Sequence, residues 1–157
     1  MDITSRAEFA ATPEQVFTML TDQGYLEQVC VASHALSYEC SVQGSTTRSR
    51  RELPAPEQAR KFTGASLTIV EEVAWGDADP QGARTARLTL SVPGQPMTMT
   101  GTASLAPGGA GSVVSVAADL KVNIPLLGKK LEQSAAPAIL EGLKIQEDVG
   151  KDWLAQH

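Results

Sequence analysis

The chain has few aromatic residues, few cysteines and no long apolar run. Only 4% of its 157 residues are Phe, Trp or Tyr, so the core has to be built mainly from aliphatic side chains. Its two cysteines are too few for a disulfide framework, and the opening MDITSRAEF lacks the basic and apolar regions of a signal peptide. No segment is apolar enough to span a bilayer. We therefore expect a cytoplasmic protein with reduced thiols and no integral membrane association.

An excess of positive charge is also missing. Thirteen basic residues against eighteen acidic ones give a net charge of −5, which provides no general attraction to nucleic acid. The densest basic cluster is formed by Arg48, Arg50 and Arg51. Such a cluster is typical of a solvated strand face, and a patch for an acidic partner is the alternative. We expect no nucleic-acid partner.

Familiar catalytic and cofactor motifs are absent. No GxGxxG or Walker pattern occurs, and the glycines of residues 108–111 predict a hairpin loop. Cys30 and His34 are four residues apart and would share a face on a continuous helix. A metal needs more ligands than this pair, and a small core cysteine beside a helix-end histidine is favoured over a catalytic dyad. We expect no metal and no cofactor.

The chain does contain regular alternation of apolar and polar residues, which predicts half-buried strands. Ile3, Ser5, Ala7 and Phe9 share one face of the first strand. Six further strands are predicted at residues 36–42, 46–53, 67–75, 86–92, 97–105 and 114–122. The strand at 46–53 is polar and is expected near a sheet edge. Short turns between the strands predict antiparallel pairing.

Helices are predicted after the first strand and at the end of the chain. Thr12 and Gln15 form a capping box around Pro13, and a second short helix follows. Residues 123–153 form a long amphipathic helix, which Pro137 is expected to kink or split. Its apolar stripe consists of Leu127, Leu131, Ala135, Ala138, Gly142, Ile145, Val149 and Trp153.

Three leucines fall opposite that stripe if the helix is straight: Leu140, Leu143 and Leu154. A kink that rotates the second half of the helix would bring Leu143 closer to the core. A partner surface would also explain them and would allow a weak homodimer. We favour the kink.

These elements predict one α+β domain over residues 1–157. The element order, the segment TPEQVF from Thr12, the strand at 67–75 and the segment IPLLGKKLE from Ile124 resemble the START-like, Bet v 1-like superfamily of polyketide cyclases and lipid transporters. The resemblance covers essentially the whole chain, and the chain is similar to a bacterial branch of that superfamily whose function is undefined. The resemblance implies a helix-grip fold, in which a curved antiparallel sheet of about seven strands wraps around the C-terminal helix and two short helices follow the first strand. It also implies a deep cavity between sheet and helix.

Glu71 is the polar exception on an apolar strand face. Leu67, Ile69 and Val73 set the inward phase, and Glu71 lies in that phase. A regular strand would direct its carboxylate inward, where Arg51 is a candidate partner. The alternative, a β-bulge that turns Glu71 to solvent, is favoured from the sequence.

The expected ligand is a small hydrophobic molecule: a lipid, a fatty acid or a polyketide-like compound. Residues 54–64 are expected to gate entry, and Met97 and Met99 suit either an adaptable binding wall or an ordinary core. The expected cavity residues are Phe17, Leu20, Tyr38, Arg51, Phe62, Leu67, Ile69, Glu71, Leu88, Leu90, Met97, Met99, Leu127 and Leu131. One alternative is a cyclase or hydratase that uses Glu71 and Tyr38 for acid–base chemistry. Another is a module that binds a protein partner.

Overall fold

The computed structural model describes residues 1–157 and has the predicted order of strands and main helices, with a 3-10 turn and a short helix added between the third and fourth strands. The elements are β1 (Asp2–Phe9), α1 (Pro13–Leu20), α2 (Gln23–Ala32), β2 (Ser37–Gln43), β3 (Thr46–Pro54), a 3-10 turn (Glu57–Ala59), α3 (Arg60–Thr63), β4 (Ser66–Trp75), β5 (Arg84–Ser91), β6 (Met97–Gly108), β7 (Gly111–Val122) and α4 (Gly128–Gln156). The α+β helix-grip prediction is confirmed.

The seven strands form one antiparallel sheet in the order β1-β7-β6-β5-β4-β3-β2. β1 and β2 are the two edges, although they are neighbours among the strands in sequence. The polar strand at 46–53, expected near an edge, is second from the edge, because β2 covers it with Tyr38 opposite Arg51. Its inward face therefore contributes to the interior of the molecule.

The capped helices α1 and α2 connect the two sheet edges. Thr12 Oγ1 accepts a hydrogen bond from the Gln15 N–H at 3.2 Å, and Gln15 Oε1 accepts one from the Thr12 N–H at 2.9 Å. Asp22 Oδ2 caps α2 by accepting from the Tyr25 N–H at 3.0 Å. These bonds satisfy donors that a helix start leaves free, so both helices begin at defined residues.

Two hydrophobic clusters hold the sheet and helices together. One lies on the middle of the sheet and consists of Ile3, Leu88, Leu90, Met99, Ala118, Leu120 and Ala136. The other joins the three main helices to the sheet and consists of Phe9, Val16, Met19, Tyr25, Val29, Leu105 and Trp153. The space between the sheet and α4 that these clusters do not fill forms the site described below.

The long helix α4 is continuous across Pro137, so the expected split does not occur. Pro137 is exposed, so the carbonyl that loses its helical hydrogen bond faces the solvent side, where water can replace the bond. The residues buried most deeply on α4 are Glu132, Ala136, Gly150 and Trp153. Apart from Trp153, they lie one position along from the predicted stripe.

Of the three leucines expected opposite the stripe, only Leu140 is exposed, at 44%. Leu143 packs against the sheet cluster and Leu154 against the three-helix cluster, in one unbroken helix. Two of the three leucines that suggested a partner surface therefore pack inside the protein instead. No helix in the structure has the length and hydropathy needed to cross a bilayer.

Candidate functional site

A cavity of about 430 Å³ lies between the inner face of the sheet and helices α2 and α4. Of the 43 residues that line it, 28 are hydrophobic. This volume lies in the range of small-molecule sites, which combine mainly apolar walls with a few polar groups.

The cavity walls come from most of the molecule. Strands β3 to β6 supply the floor through alternate residues, and α4 supplies the roof through Leu131, Ala135 and Gly142. The predicted α4 stripe thus faces the cavity, while the neighbouring stripe at Glu132 and Ala136 packs on the sheet. An apolar surface left uncovered inside a closely packed protein is unusual, since interiors contain few voids.

Eleven of the fourteen expected residues line this cavity. They are Leu20, Arg51, Phe62, Leu67, Ile69, Glu71, Leu88, Leu90, Met97, Met99 and Leu131. Met97 is half-buried and Met99 is fully buried, so the second methionine belongs to the core as well as to the wall.

Three expected residues lie outside the cavity. Phe17 packs edge-on against Trp75 at 6.2 Å between ring centroids and lies under the Arg84 guanidinium at 3.6 Å. Tyr38, at the start of the edge strand, is 40% exposed, and Leu127, before the first turn of α4, is 44% exposed. Because Tyr38 does not reach the cavity, the expected acid–base pair of Glu71 and Tyr38 is not assembled.

Glu71 points into the cavity. The strand pairing continues without interruption through Glu71, which lies opposite Ser49 on β3 and Leu90 on β5. No β-bulge turns the carboxylate outward, so the interpretation favoured from the sequence is wrong. Its neighbour Glu72 is exposed, as a regular strand requires.

Arg51 is the partner of Glu71 inside the cavity. Its Nη2 lies 3.7 Å from Glu71 Oε1, and its Nη1 donates to Ser49 Oγ at 3.1 Å. Ser49 and Thr47 also line the cavity and are buried with Arg51. These two hydroxyls were not predicted as site residues, although β3 places every second residue on the same face as Arg51.

The basic cluster on β3 is divided between the two faces of the sheet. Arg48 and Arg50 are exposed, as expected for a solvated strand face. Arg51 is only 7% exposed and belongs to the cavity. The three arginines therefore do not form one surface patch.

Tyr25 is a cavity residue that was not predicted as part of the site. Its hydroxyl donates to the Gln146 carbonyl oxygen of α4 at 3.0 Å, which joins α2 to α4. Burial and the nearby Glu71 carboxylate raise the pKa of Tyr25 well above its usual value. The phenol is therefore a neutral hydrogen-bonding group at any physiological pH.

Cys30 and Cys40 lie side by side next to this polar cluster. Their Sγ atoms are 3.7 Å apart, within hydrogen-bond distance and not joined in a disulfide, and Cys30 lines the cavity. Cys30 is buried on α2, whereas His34 lies beyond the end of α2 at Ala32 and is exposed with a φ of 59°, so the two side chains do not share a helix face. This matches the favoured prediction of a small core cysteine beside a helix-end histidine. The structure contains no cluster of three metal-binding side chains.

The segment between β3 and β4 borders one end of the cavity. Its 3-10 turn and the short helix α3 supply Gln58, Ala59 and Phe62 to the wall. Phe62 also projects outward and is 48% exposed. Gln95 Nε2 donates to the Phe62 carbonyl at 3.3 Å and so connects α3 to the turn between β5 and β6.

The sequence matches a known protein family. The model of a family described as "Protein of unknown function (DUF2505)" matches residues 4–154. No curated protein matches the sequence.

Solved structures of similar shape cover nearly the whole chain. A protein of Thermus thermophilus has a TM-score of 0.65 at 20% identity, over 97% of this chain and 95% of that one. A fragment of a STAR-related lipid transfer protein from Xanthomonas axonopodis has a TM-score of 0.65 at 14% identity, over 98% and 85%. Ara h 8.0201 has a TM-score of 0.59 at 12% identity, over 96% and 97%. These likenesses show the START-like, Bet v 1-like fold.

Proposed function

We propose that this chain, which belongs to the DUF2505 family of proteins of unknown function, binds a small hydrophobic molecule between its sheet and α4. The observation that carries the proposal is the 430 Å³ cavity, whose lining is mainly hydrophobic and whose polar groups are concentrated around Arg51 and Glu71. The similar structure from Xanthomonas axonopodis is that of a STAR-related lipid transfer protein, which supports a ligand of this class.

The polar cluster would orient the ligand. Arg51 makes one hydrogen bond, to Ser49, and its remaining N–H groups are available to an acceptor. Glu71 supplies an acceptor for a ligand hydroxyl, and its charge balances that of Arg51. A ligand with an apolar body and one polar end, such as a lipid, a fatty acid or a polyketide-like molecule, matches this distribution.

The α4 helix would hold the ligand against the sheet. Leu131 and Ala135 present a flexible and a small side chain to the cavity, and Gly142 presents only its backbone, which leaves room above the apolar floor. Residues 54–64 would gate entry, since α3 borders the cavity and is connected to the next turn by the bond between Gln95 and Phe62.

Native mass spectrometry of the purified protein, followed by solvent extraction, tests the proposal. We expect a bound species whose extracted molecule has a long apolar body. Displacement of anilinonaphthalene sulfonate by lipids, fatty acids and aromatic polyketides would then rank these classes. The proposal is wrong if no class binds saturably to a folded protein and the dye reports no accessible apolar cavity.

A further inference from the structure

The turn before α4 exposes apolar side chains in an unusual way. Leu126 is fully exposed, at 103%, and its φ of 69° lies in the left-handed region that leucine rarely adopts. Leu127 beside it is 44% exposed. A strained backbone that displays a leucine to solvent persists only when the surrounding structure holds it in place.

The surrounding structure does hold this turn at both ends. The Asn123 N–H donates to the Pro96 carbonyl at 2.8 Å, and the Val122 N–H donates to Glu132 Oε2 at 3.0 Å. Gly128 lies so close to Val122 that a Cβ there would collide with the Val122 carbonyl oxygen. The turn is therefore fixed in a conformation that presents Leu126 outward.

A second apolar projection lies at the same end of the cavity. Phe62 on α3 is 48% exposed and is bonded to Gln95, while Asn123 is bonded to the adjacent Pro96. Phe62, Pro96 and Ile124 all line the cavity. The segments that carry the two projections are thus both bonded to the turn between β5 and β6, and both supply a residue to the cavity wall. We call Phe62, Leu126 and Leu127 the apolar tip.

Exposed cations flank the residues of the apolar tip in the sequence. Arg60 and Lys61 precede Phe62, and Lys129 and Lys130 follow Leu127. None of these four forms an ion pair, and Glu57 is the only acidic residue in residues 54–64 and 123–131. The rest of the chain is strongly acidic, since the net charge is −5.

This combination fits a membrane surface better than a protein. Apolar side chains flanked by lysine and arginine are typical of segments that enter the head-group region of anionic bilayers. A stable protein interface buries about 800 Å² on each side and is depleted of lysine, which three side chains among cations do not match.

We propose that the apolar tip docks on an anionic lipid surface, with Arg60, Lys61, Lys129 and Lys130 contacting the head groups. The end of the cavity then faces the bilayer, which gives a membrane-derived ligand a short path inward. Only this last consequence rests on the proposed function, because docking itself requires no ligand.

Vesicle flotation of the ligand-free protein tests the docking. The probes are vesicles of phosphatidylcholine alone and of phosphatidylcholine with about one-third phosphatidylglycerol. We expect binding to the anionic vesicles only, and its loss at about 1 M salt, where the screening length falls to about 3 Å. Equal binding to both vesicles, or no binding to either, would overturn the proposal.

Matched variants identify the surface. Lys129→Gln with Lys130→Gln should lower anionic vesicle affinity about tenfold or more. Arg48→Gln with Arg50→Gln, on the exposed face of β3, should leave the affinity within about twofold if the effect is local. Equal losses from both pairs would show a nonspecific charge effect and contradict the proposal.

Leu126→Gly separates docking from folding. Glycine adopts a positive φ without strain, so this variant should raise the thermal midpoint while lowering vesicle affinity. Leu36→Gly is the apolar control and should leave vesicle affinity unchanged, since Leu36 is 61% exposed at another site. If Leu126→Gly leaves vesicle affinity unchanged, or relieves self-association seen by size-exclusion chromatography, the tip serves another occupant and the proposal fails.

A ligand-displacement assay without vesicles distinguishes the two proposals. Docking variants should retain ligand binding in solution, whereas a variant with a filled cavity should retain vesicle binding. Loss of both activities in either variant would show that the two sites are not separable as proposed.

Discussion

Arg51 and Glu71 form the ion pair inside the cavity, with Nη2 of the guanidinium 3.7 Å from Oε1 of the carboxylate. They lie on neighbouring strands, two positions apart on one face, because Ser49 rather than Arg51 is directly opposite Glu71. The side chains are only 9% and 15% exposed, so water screens the pair incompletely. Removal of either charge would therefore leave the other buried without a counter-charge.

Glu71→Gln should remove the negative charge while preserving the shape of the side chain. We expect the free energy of unfolding to fall by about 1–3 kcal/mol, because Arg51 is left without its counter-charge. Affinity for a ligand with a hydroxyl end should fall about tenfold. Chemical denaturation and dye displacement measure the two effects. Glu72→Gln on the exposed face is the control and should change neither the free energy of unfolding nor the ligand affinity.

Unchanged ligand affinity of Glu71→Gln with lost turnover of an identified substrate would instead assign Glu71 to acid–base catalysis.

Ala135 and Ala136 are adjacent but face different surroundings. Ala135 lines the cavity, and Ala136 is packed in the sheet cluster with 5% exposure. Ala135→Trp should fill the cavity and abolish ligand binding while the protein stays folded. Ala136→Trp should destabilise the protein by about 1–3 kcal/mol or more, since overpacking forces its neighbours to move. Circular dichroism melts and dye displacement distinguish the two outcomes. Retained binding in a folded Ala135→Trp protein would contradict the proposed site.

Gly101 permits a close approach between β6 and β7. A Cβ at this position would collide with the Ala117 carbonyl oxygen and with Ala118. Gly101→Ala should therefore lower the free energy of unfolding by about 1–3 kcal/mol. Gly142→Ala is the matched control: a Cβ there meets nothing within 4 Å, and helix propensity should stabilise α4 by about 0.5–1 kcal/mol. Urea denaturation of the two variants should give opposite signs.

The Cys30 and Cys40 thiols should react slowly at neutral pH. Burial raises the pKa of both thiols, and the neighbouring Cys30 thiol and Glu27 carboxylate help to raise the pKa of Cys40 to about 12. Because the thiolate is the reactive form, alkylation should accelerate with rising pH by nearly tenfold per unit below that pKa. Mass spectrometry of iodoacetamide-treated protein measures the rate, with urea-unfolded chain as the reference. Equal alkylation rates in folded and unfolded protein at pH 7 would disprove the expected slow reaction of the two thiols.

The fold could be predicted because most strands have one apolar and one polar face. The alternation of Ile3 to Phe9 and the capping box at Thr12 determine local structure without help from distant residues. Glu71 was harder to place, since its strand phase directed it inward while the cost of burying a charge favoured a bulge. The inward position of Glu71 depends on Arg51, which only the pairing of β3 with β4 brings within reach of the carboxylate.

The cavity could be predicted only in part. Leu131 and Ala135 were expected on the inward face of α4, but the stripe that packs most tightly is shifted by one residue, to Glu132 and Ala136. Both stripes contain small apolar residues, so periodicity alone does not distinguish a cavity wall from a packed surface. Tyr38 shares its strand phase with Cys40, yet it lies beyond the cavity at the start of an edge strand.

The sheet order has a consequence for synthesis on the ribosome. β1 pairs only with β7, and Asp2 lies opposite Asp119, more than a hundred residues later. At about 5–20 residues per second, the first strand is without its partner for roughly 5–20 s. An unpaired alternating strand is a template for joining another chain. The nascent protein is therefore most open to mispairing between neighbouring ribosomes until β7 emerges.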